Sequence, residues 1–217
     1  MEKLKEGFYY HIYNRGINKT DLFLKEEDFW FFLQKYFYYT HLSLKTYAYC
    51  LLRNHFHLLL KVRKTEEQAK LFKQITTSGI KSSTEGLPYG CAFKEFKAQN
   101  PSRQLAHHFN SYTKNFNGWY NRTGRLFEQP FKRKKIDNKR YLTHILCYIH
   151  RNPIHHGITD EYETYEYSSY RTYVGKTAHP LTISKDEALD WFGCTRYFVE
   201  AHHDIKNCLP EKLLLDS

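Results

Sequence analysis

The stretch LKTYAYCLLRNHFHLLLKV, residues 44–62, restricts the fold more than any other part of this 217-residue chain. Two runs rich in β-formers, 44–52 and 55–62, are separated only by Arg53 and Asn54. They read as two strands joined by a two-residue hairpin, or as one bent ribbon. Side chains alternate across a strand, so His55, His57, Leu59 and Lys61 share one face and Phe56, Leu58, Leu60 and Val62 the other. Two imidazoles on one face of an otherwise apolar strand are costly unless they are hydrogen-bonded or share a task. Neutral imidazole is a common metal ligand, and histidines at i and i+2 on a strand can grip one divalent cation. The plainer alternative is a hydrogen-bonded pair on a half-buried sheet, and a chain with 13 histidines makes such a pair unsurprising.

The flanking segments suggest alternating strands and helices. GFYYHIYNRG (7–16) is β-rich and ends in a turn at Asn14-Arg15-Gly16. KEEDFWFFLQKYFYYTH (25–41) has acids at its front and apolar residues at helical spacing, which predicts a helix covering one face of the sheet. Residues 66–101 show no clean period and are expected to contain a flexible insertion or lid. From Ser102 to Tyr120, Leu105, Phe109, Tyr112, Phe116 and Trp119 recur every three or four residues, as on a packed helix. RLFEQPFKRKKI (125–136) reads as a basic extended ribbon, followed by a helix from about Asp137 that Asn152-Pro153 should stop. Acidic KDEALDWFG and TRYFVEAHH predict small outer helices. A catalytic domain at 1–150 with a helical extension at 151–217 packed on it is the expected organisation.

Charge narrows the class of partner. The formal net charge is +10, and residues 111–140 hold nine Lys or Arg against Glu128 and Asp137. Such a segment suits a polyanion such as nucleic acid, or is simply a solubilising face. Aromatics make up 18% of the chain, with 19 Tyr and 16 Phe, so rings on which unpaired bases could stack are plentiful. Five scattered cysteines without a C-x-x-C pair argue against a disulfide framework or a structural zinc site, and fit a reducing compartment. No leader-like segment opens the chain, and no apolar run approaches the roughly 18 residues of a membrane span. A protein of the bacterial cytoplasm, at the nucleoid when bound to DNA, is expected.

YHIYNRG, YAYCLLRNHFHLLLKV, NSYTKNFNGWYNRTGRLFEQPFKRK and YIHRNPIHHG, in that order, resemble the REP-associated tyrosine transposases, members of the HUH single-strand DNA endonucleases. The resemblance runs from residue 8 to about 175, with little from 66–101 or from the tail beyond about 180. It implies an α+β, ferredoxin-like antiparallel sheet flanked by helices. It also implies cleavage and joining of single-stranded DNA at hairpin-bearing sites through a 5′-phosphotyrosine, with Mg²⁺ or Mn²⁺ held by His55 and His57. Tyr112 in SYTKNFN would be the nucleophile, although its place on the apolar stripe suits a core tyrosine equally; Tyr120 is its nearest rival. Related enzymes often carry a polar ligand one helical turn after the tyrosine, but that position here is Phe116. Asn117 is the choice for third ligand, with Asn115 as fallback, and His108 is an incidental polar neighbour. Arg15, Arg122, Arg125, Lys132, Arg133, Lys134 and Lys135 are the candidates for DNA phosphate contact. His150, His155 and His156 are expected to form a helix-end turn. Two other readings stay open: a replication or conjugation nickase, and a catalytically idle DNA-binding or regulatory protein on the same fold. Monomer and homodimer are both compatible with the sequence.

Overall fold

In a computed structural model of the chain, residues 3–77, 95–176 and 182–204 are described below. Strand β1 (Tyr9–Arg15) leads through a short 3₁₀ turn (Ile17–Lys19) to helix α1 (Glu26–Thr40), then to the hairpin of β2 (Leu44–Leu52) and β3 (His55–Val62). After α2 (Thr65–Thr77) come α3 (Pro101–Trp119), β4 (Lys132–Ile136) and α4 (Lys139–His155). Three short helices follow: α5 (Tyr170–Tyr173), α6 (Lys185–Phe192) and α7 (Thr195–Asp204).

The four strands form one sheet in the order β2-β3-β1-β4, every neighbouring pair antiparallel. With α1 between β1 and β2 and α3 between β3 and β4, this is the split βαββαβ arrangement of a ferredoxin-like α+β fold. Leu52 pairs with His55, so Arg53 and Asn54 make the expected two-residue hairpin. Gly16 closes β1 because a Cβ there would run into the Thr20 carbonyl of the turn that follows.

The two sheet faces bury separate cores. Tyr10 and Ile12 of β1, Phe56, Leu58 and Leu60 of β3, and the stripe Leu105, Phe109, Tyr112 and Phe116 of α3 pack with Phe29, Phe32 and Leu33 of α1. On the opposite face Ala48, Cys50 and Leu59 meet Leu142, Ile145, Leu146 and Ile149 of α4. Polar caps fix where these helices begin. Asn100 Oδ1 accepts from the Arg103 amide at 3.1 Å with Pro101 at the first helical position, and Asn138 Oδ1 accepts from the Tyr141 amide at 2.7 Å. Buried Asp28 accepts from the Leu24 and Lys25 amides and from the Tyr120 hydroxyl, tying α1 to the end of α3.

The tail docks on α4 and on the open edge of β2. His150 Nδ1 lies 2.9 Å from His202 Nε2 of α7, and Arg151 donates to the His202 carbonyl at 2.7 Å. Glu187 of α6 accepts from the hydroxyls of Tyr9 and Tyr47 and pairs with Lys45. Three expectations change. Pro153 does not stop α4, which runs to His155, because a proline in the last turn removes only one intrahelical bond. Within 66–101, residues up to Thr77 belong to α2, while 78–94 lie outside the described residues. The basic ribbon is a strand only from Lys132, the preceding residues forming a loop. No described helix is long and apolar enough to cross a membrane.

Candidate active site

Directly paired residues of an antiparallel sheet project from the same face. Register places His57 between Cys50 and Tyr13, with Lys132 beyond Tyr13, and places His55 between Leu52 and Arg15. One face therefore carries Arg15, Tyr13, His11, His55, His57, Lys132 and Lys134 together. This is the face covered by α4. At the Arg15 end of the sheet they surround a cleft of about 400 Å³, lined by Tyr13, Asn14, Arg15, Asn54, His55, His57, Glu128 and Lys132, and by Tyr148, His155 and His156 of α4. The volume falls within the range of small-ligand sites.

Every histidine of the cleft is engaged. His57 Nδ1 lies 2.9 Å from His11 Nε2, and their rings stack at 5.1 Å with Tyr13 beside both. That contact occupies Nδ1 of His57, so Nε2 is the nitrogen left to ligate. Asn54 Oδ1 accepts from His55 Nδ1 at 2.7 Å, which fixes the lone pair of His55 on Nε2. His55 Nε2 in turn lies 3.1 Å from His156 Nε2. Burial, helped by the neighbouring imidazoles, pushes His57 well below its ordinary pKa. Burial pushes His55 down to about 3, reinforced by His156 and Arg15, and it pushes His11 down to about 3 as well. Neutral imidazoles at pH 7 are the form that binds metal.

Tyr148 approaches the same place from α4. Its ring meets His57 edge-on at 5.7 Å and His11 at 6.1 Å, and stacks on His155 at 5.6 Å. One helical turn on, Asn152 is fully buried. Its amide nitrogen donates to the Tyr148 carbonyl at 3.2 Å, while its Oδ1 has no hydrogen-bond partner among the described residues. The side chain stands near enough to His55 to favour the protonated ring, against the dominant effect of burial. A buried amide within hydrogen-bonding reach of the neutral His55 ring carries an oxygen of the kind that hard or borderline divalent cations accept as a ligand. Among the described residues no three His, Cys, Asp or Glu side chains form a metal-binding group.

Tyr112 does not meet the expectation placed on it. It lies on the opposite face of the sheet from the histidines, fully buried among Phe23, Phe31, Phe32, Phe116 and Phe127. Its hydroxyl donates to the Leu22 carbonyl at 2.6 Å, and burial raises its pKa far above that of an ordinary phenol. The apolar stripe was the true signal: α3 packs on the α1 side. Asn117 is likewise not at the histidines. Its amide donates to the Gly124 carbonyl at 2.8 Å and accepts from Arg122 at 2.9 Å, bracing the turn after α3. Asn115 donates to the Ser111 carbonyl within its own helix.

The basic residues divide in the same way. Arg15 and Lys132 line the cleft, Arg15 3.7 Å from Glu128 and Lys132 over the Tyr13 ring. Lys134 lies on that face over Tyr141. Arg133 and Lys135 point to the other side, the first over Phe131 and the second paired with Asp137. Arg122 is tied to Asn117 and to the Arg125 carbonyl, and Arg125 lines a separate cleft beside α3. Tyr148 and Asn152 were missed, although YIHRN (148–152) carries a tyrosine with a polar residue one turn later, the pattern that fails at Tyr112 and Phe116.

No protein-family profile matches the chain, and no curated protein is similar to it in sequence. A solved structure, that of a REP-associated tyrosine transposase bound to a REP hairpin, has the same fold. It aligns over 85% of this chain and 94% of its own with a TM-score of 0.57 and 12% identity.

Proposed function

We propose that the chain is a single-strand DNA endonuclease and strand transferase in which Tyr148 is the nucleophile and His55, His57 and Asn152 are the residues that would hold a divalent cation. The observation that carries this reading is Tyr148 lying edge-on over His57, with the buried Asn152 side chain, one turn further along the same helix, within hydrogen-bonding reach of His55. The shared fold with a transposase described on a REP hairpin supports hairpin-bearing DNA as substrate.

In the reaction the Tyr148 oxygen attacks a backbone phosphorus, the bond from phosphorus to the 3′ oxygen breaks, and that oxygen leaves with a proton as a 3′-hydroxyl. The 5′ phosphate stays on the tyrosine. Attack by a second 3′-hydroxyl reverses the bond change and joins strands, because the covalent link retains the energy of the phosphodiester. A phenol of pKa about 10 is a weak nucleophile at neutral pH. A bound Mg²⁺ or Mn²⁺ would polarise the phosphoryl oxygen and offset charge in the transition state. Arg15 and Lys132 at the rim are placed to supply phosphate contacts.

The test is a denaturing gel of the full chain with labelled single-stranded hairpin oligonucleotides and Mg²⁺ or Mn²⁺. An adduct that survives denaturation, lost in Tyr148→Phe and retained in Tyr112→Phe and Tyr13→Phe, is the expected result. Binding without an adduct on every hairpin tried would identify an idle DNA binder instead. An adduct that persists in Tyr148→Phe would overturn the assignment of the nucleophile.

A further inference from the structure

We infer that the cleft between α3 and the loop 124–131 is a second nucleic-acid subsite. It takes one unpaired nucleotide of the strand next to the phosphate to be cut, with the base on the Phe131 ring and the nucleotide's phosphate at Arg125. This rests on the proposed cleavage of single-stranded DNA at Tyr148 and goes beyond it in naming where, on the other face of the sheet, the flanking strand is held.

The carrying observation is continuity. This cleft, of about 690 Å³, and the cleft of the histidines share Asn14 and Glu128 as lining residues. Residues 126–128 run antiparallel to the end of β1. Gly16 bridges to Phe127, the Glu128 amide donates to the Arg15 carbonyl and the Ile17 amide donates to the Leu126 carbonyl, both at 2.9 Å. The two clefts therefore open on opposite faces of one short sheet margin and meet at Asn14 and Glu128. A strand whose phosphate sits at Arg15 and Lys132 leaves the first cleft over that margin, and its next nucleotide arrives at the second.

The lining has the chemistry of a nucleotide site. Buried Phe109, Leu126 and Phe127 give it an apolar floor, and Phe131 meets Phe109 at 5.5 Å with the Arg133 guanidinium 4.1 Å over its ring. Aromatic faces hold unpaired bases by stacking. Around this floor Asn110 and Thr113 of α3 and Gln129 of the loop make no side-chain hydrogen bond among the described residues. A side-chain amide presents a donor and an acceptor together, the pairing that reads a base edge. Arg125 is exposed and makes no ion pair among the described residues, while the Glu128 carboxylate stands 3.7 Å from Arg15. The loop wall is fixed before any ligand arrives: Asn117 donates to the Gly124 carbonyl at 2.8 Å, Arg122 to that of Arg125 at 3.1 Å and Asn14 to that of Glu128 at 3.1 Å. Such a wall lowers the ordering cost of binding.

The experiment measures binding of the full-length protein to labelled hairpin oligonucleotides with single-stranded flanks, by fluorescence anisotropy with EDTA present so that no strand is cut. At each flank position in turn the base is removed to leave an abasic site. Wild-type protein should lose about 5-fold or more in affinity at one flank position, the share of one stacked base. Phe131→Leu keeps the apolar contact with Phe109 but not the flat face, and Asn110→Ala lies at an exposed place on α3. Each should bind the intact DNA more weakly and lose little further when that same base is removed. Arg125→Ala should weaken binding to intact and abasic DNA alike. If no flank position responds, or if the loss at that position is as large in either variant as in wild type, the inference is overturned, while hairpin binding and the adduct test at Tyr148 stand untouched. If the hairpin DNA is not bound at all, the proposed function and this inference fail together.

Discussion

His11 and His57, on adjacent strands, stack ring on ring and share a 2.9 Å nitrogen–nitrogen contact in a place closed to water. His11 does not itself line the cleft but touches Tyr13, His57 and Tyr148, which do, and its own Nδ1 is buried with no hydrogen-bond partner among the described residues. It acts as a positioning residue that fixes which nitrogen His57 turns outward. Replacing His11 with Phe keeps the volume and removes the contact. Affinity at the proposed cation site is expected to fall by about 10-fold while stability changes little, because removing the orphaned Nδ1 of His11 is offset by leaving His57 Nδ1 without its buried partner. Calorimetric metal titration and a thermal melt read the two effects separately.

Tyr112 is a structural residue. Tyr112→Phe leaves the Leu22 carbonyl without its buried donor and should cost about 1–3 kcal/mol. Tyr112→Ala opens a cavity in the α1–α3 core and should cost about 3–5 kcal/mol. Urea unfolding measures both. Tyr148→Phe, at the cleft, is expected to change stability far less than it changes adduct formation.

Acid should unfold the protein at unusually mild pH. Burial holds His108 and His202 down to about 3, and His150 well below 6.5. The folded state keeps these rings neutral, whereas the unfolded chain protonates them near 6.5. Stability is therefore full above about pH 6.5 and falls as pH drops from there toward 3, by about 1.4 kcal/mol per unit for each ring. With three such rings the loss is about 4 kcal/mol per pH unit, so a stability of 5–15 kcal/mol, as is ordinary for a domain, would be exhausted between about pH 5 and 3. Circular dichroism across a pH series checks this. His108→Phe should move the midpoint to lower pH, since both ring nitrogens of His108 are buried against Phe32 and Phe109 without hydrogen-bond partners among the described residues.

DNA affinity should depend on the basic residues by face. Arg15→Ala and Lys132→Ala are each expected to reduce the salt slope of single-strand binding by about 0.7, the share of one phosphate contact. Lys135→Ala should leave it nearly unchanged, because that side chain lies on the other face and pairs with Asp137. Fluorescence anisotropy with a labelled hairpin oligonucleotide over a salt series distinguishes the two groups.

Period-2 alternation in residues 55–62 was enough to put His55 and His57 on one face, and the 3.6-period stripe of α3 was enough to mark Tyr112 as core. What local periodicity does not carry is which sheet face a helix covers. That follows from topology: crossovers between parallel strands are right-handed, so α1, linking β1 to β2, and α3, linking β3 to β4, fall on the same side. The opposite side, with the histidines, is left to the helix after β4. Tyr148 could have been found by that argument joined to the Asn152 spacing. His11 could not, because its contact with His57 depends on strand register, which single residues do not announce.

The imidazoles of β3 and the phenol of α4 line one cleft, and the amide one turn beyond the phenol reaches His55, all from a single polypeptide brought together by one sheet and the helix lying across it. On the proposed reading, one protomer would carry the nucleophile and the ligands named for the cutting step. Specific rate per molecule should consequently be indifferent to dilution.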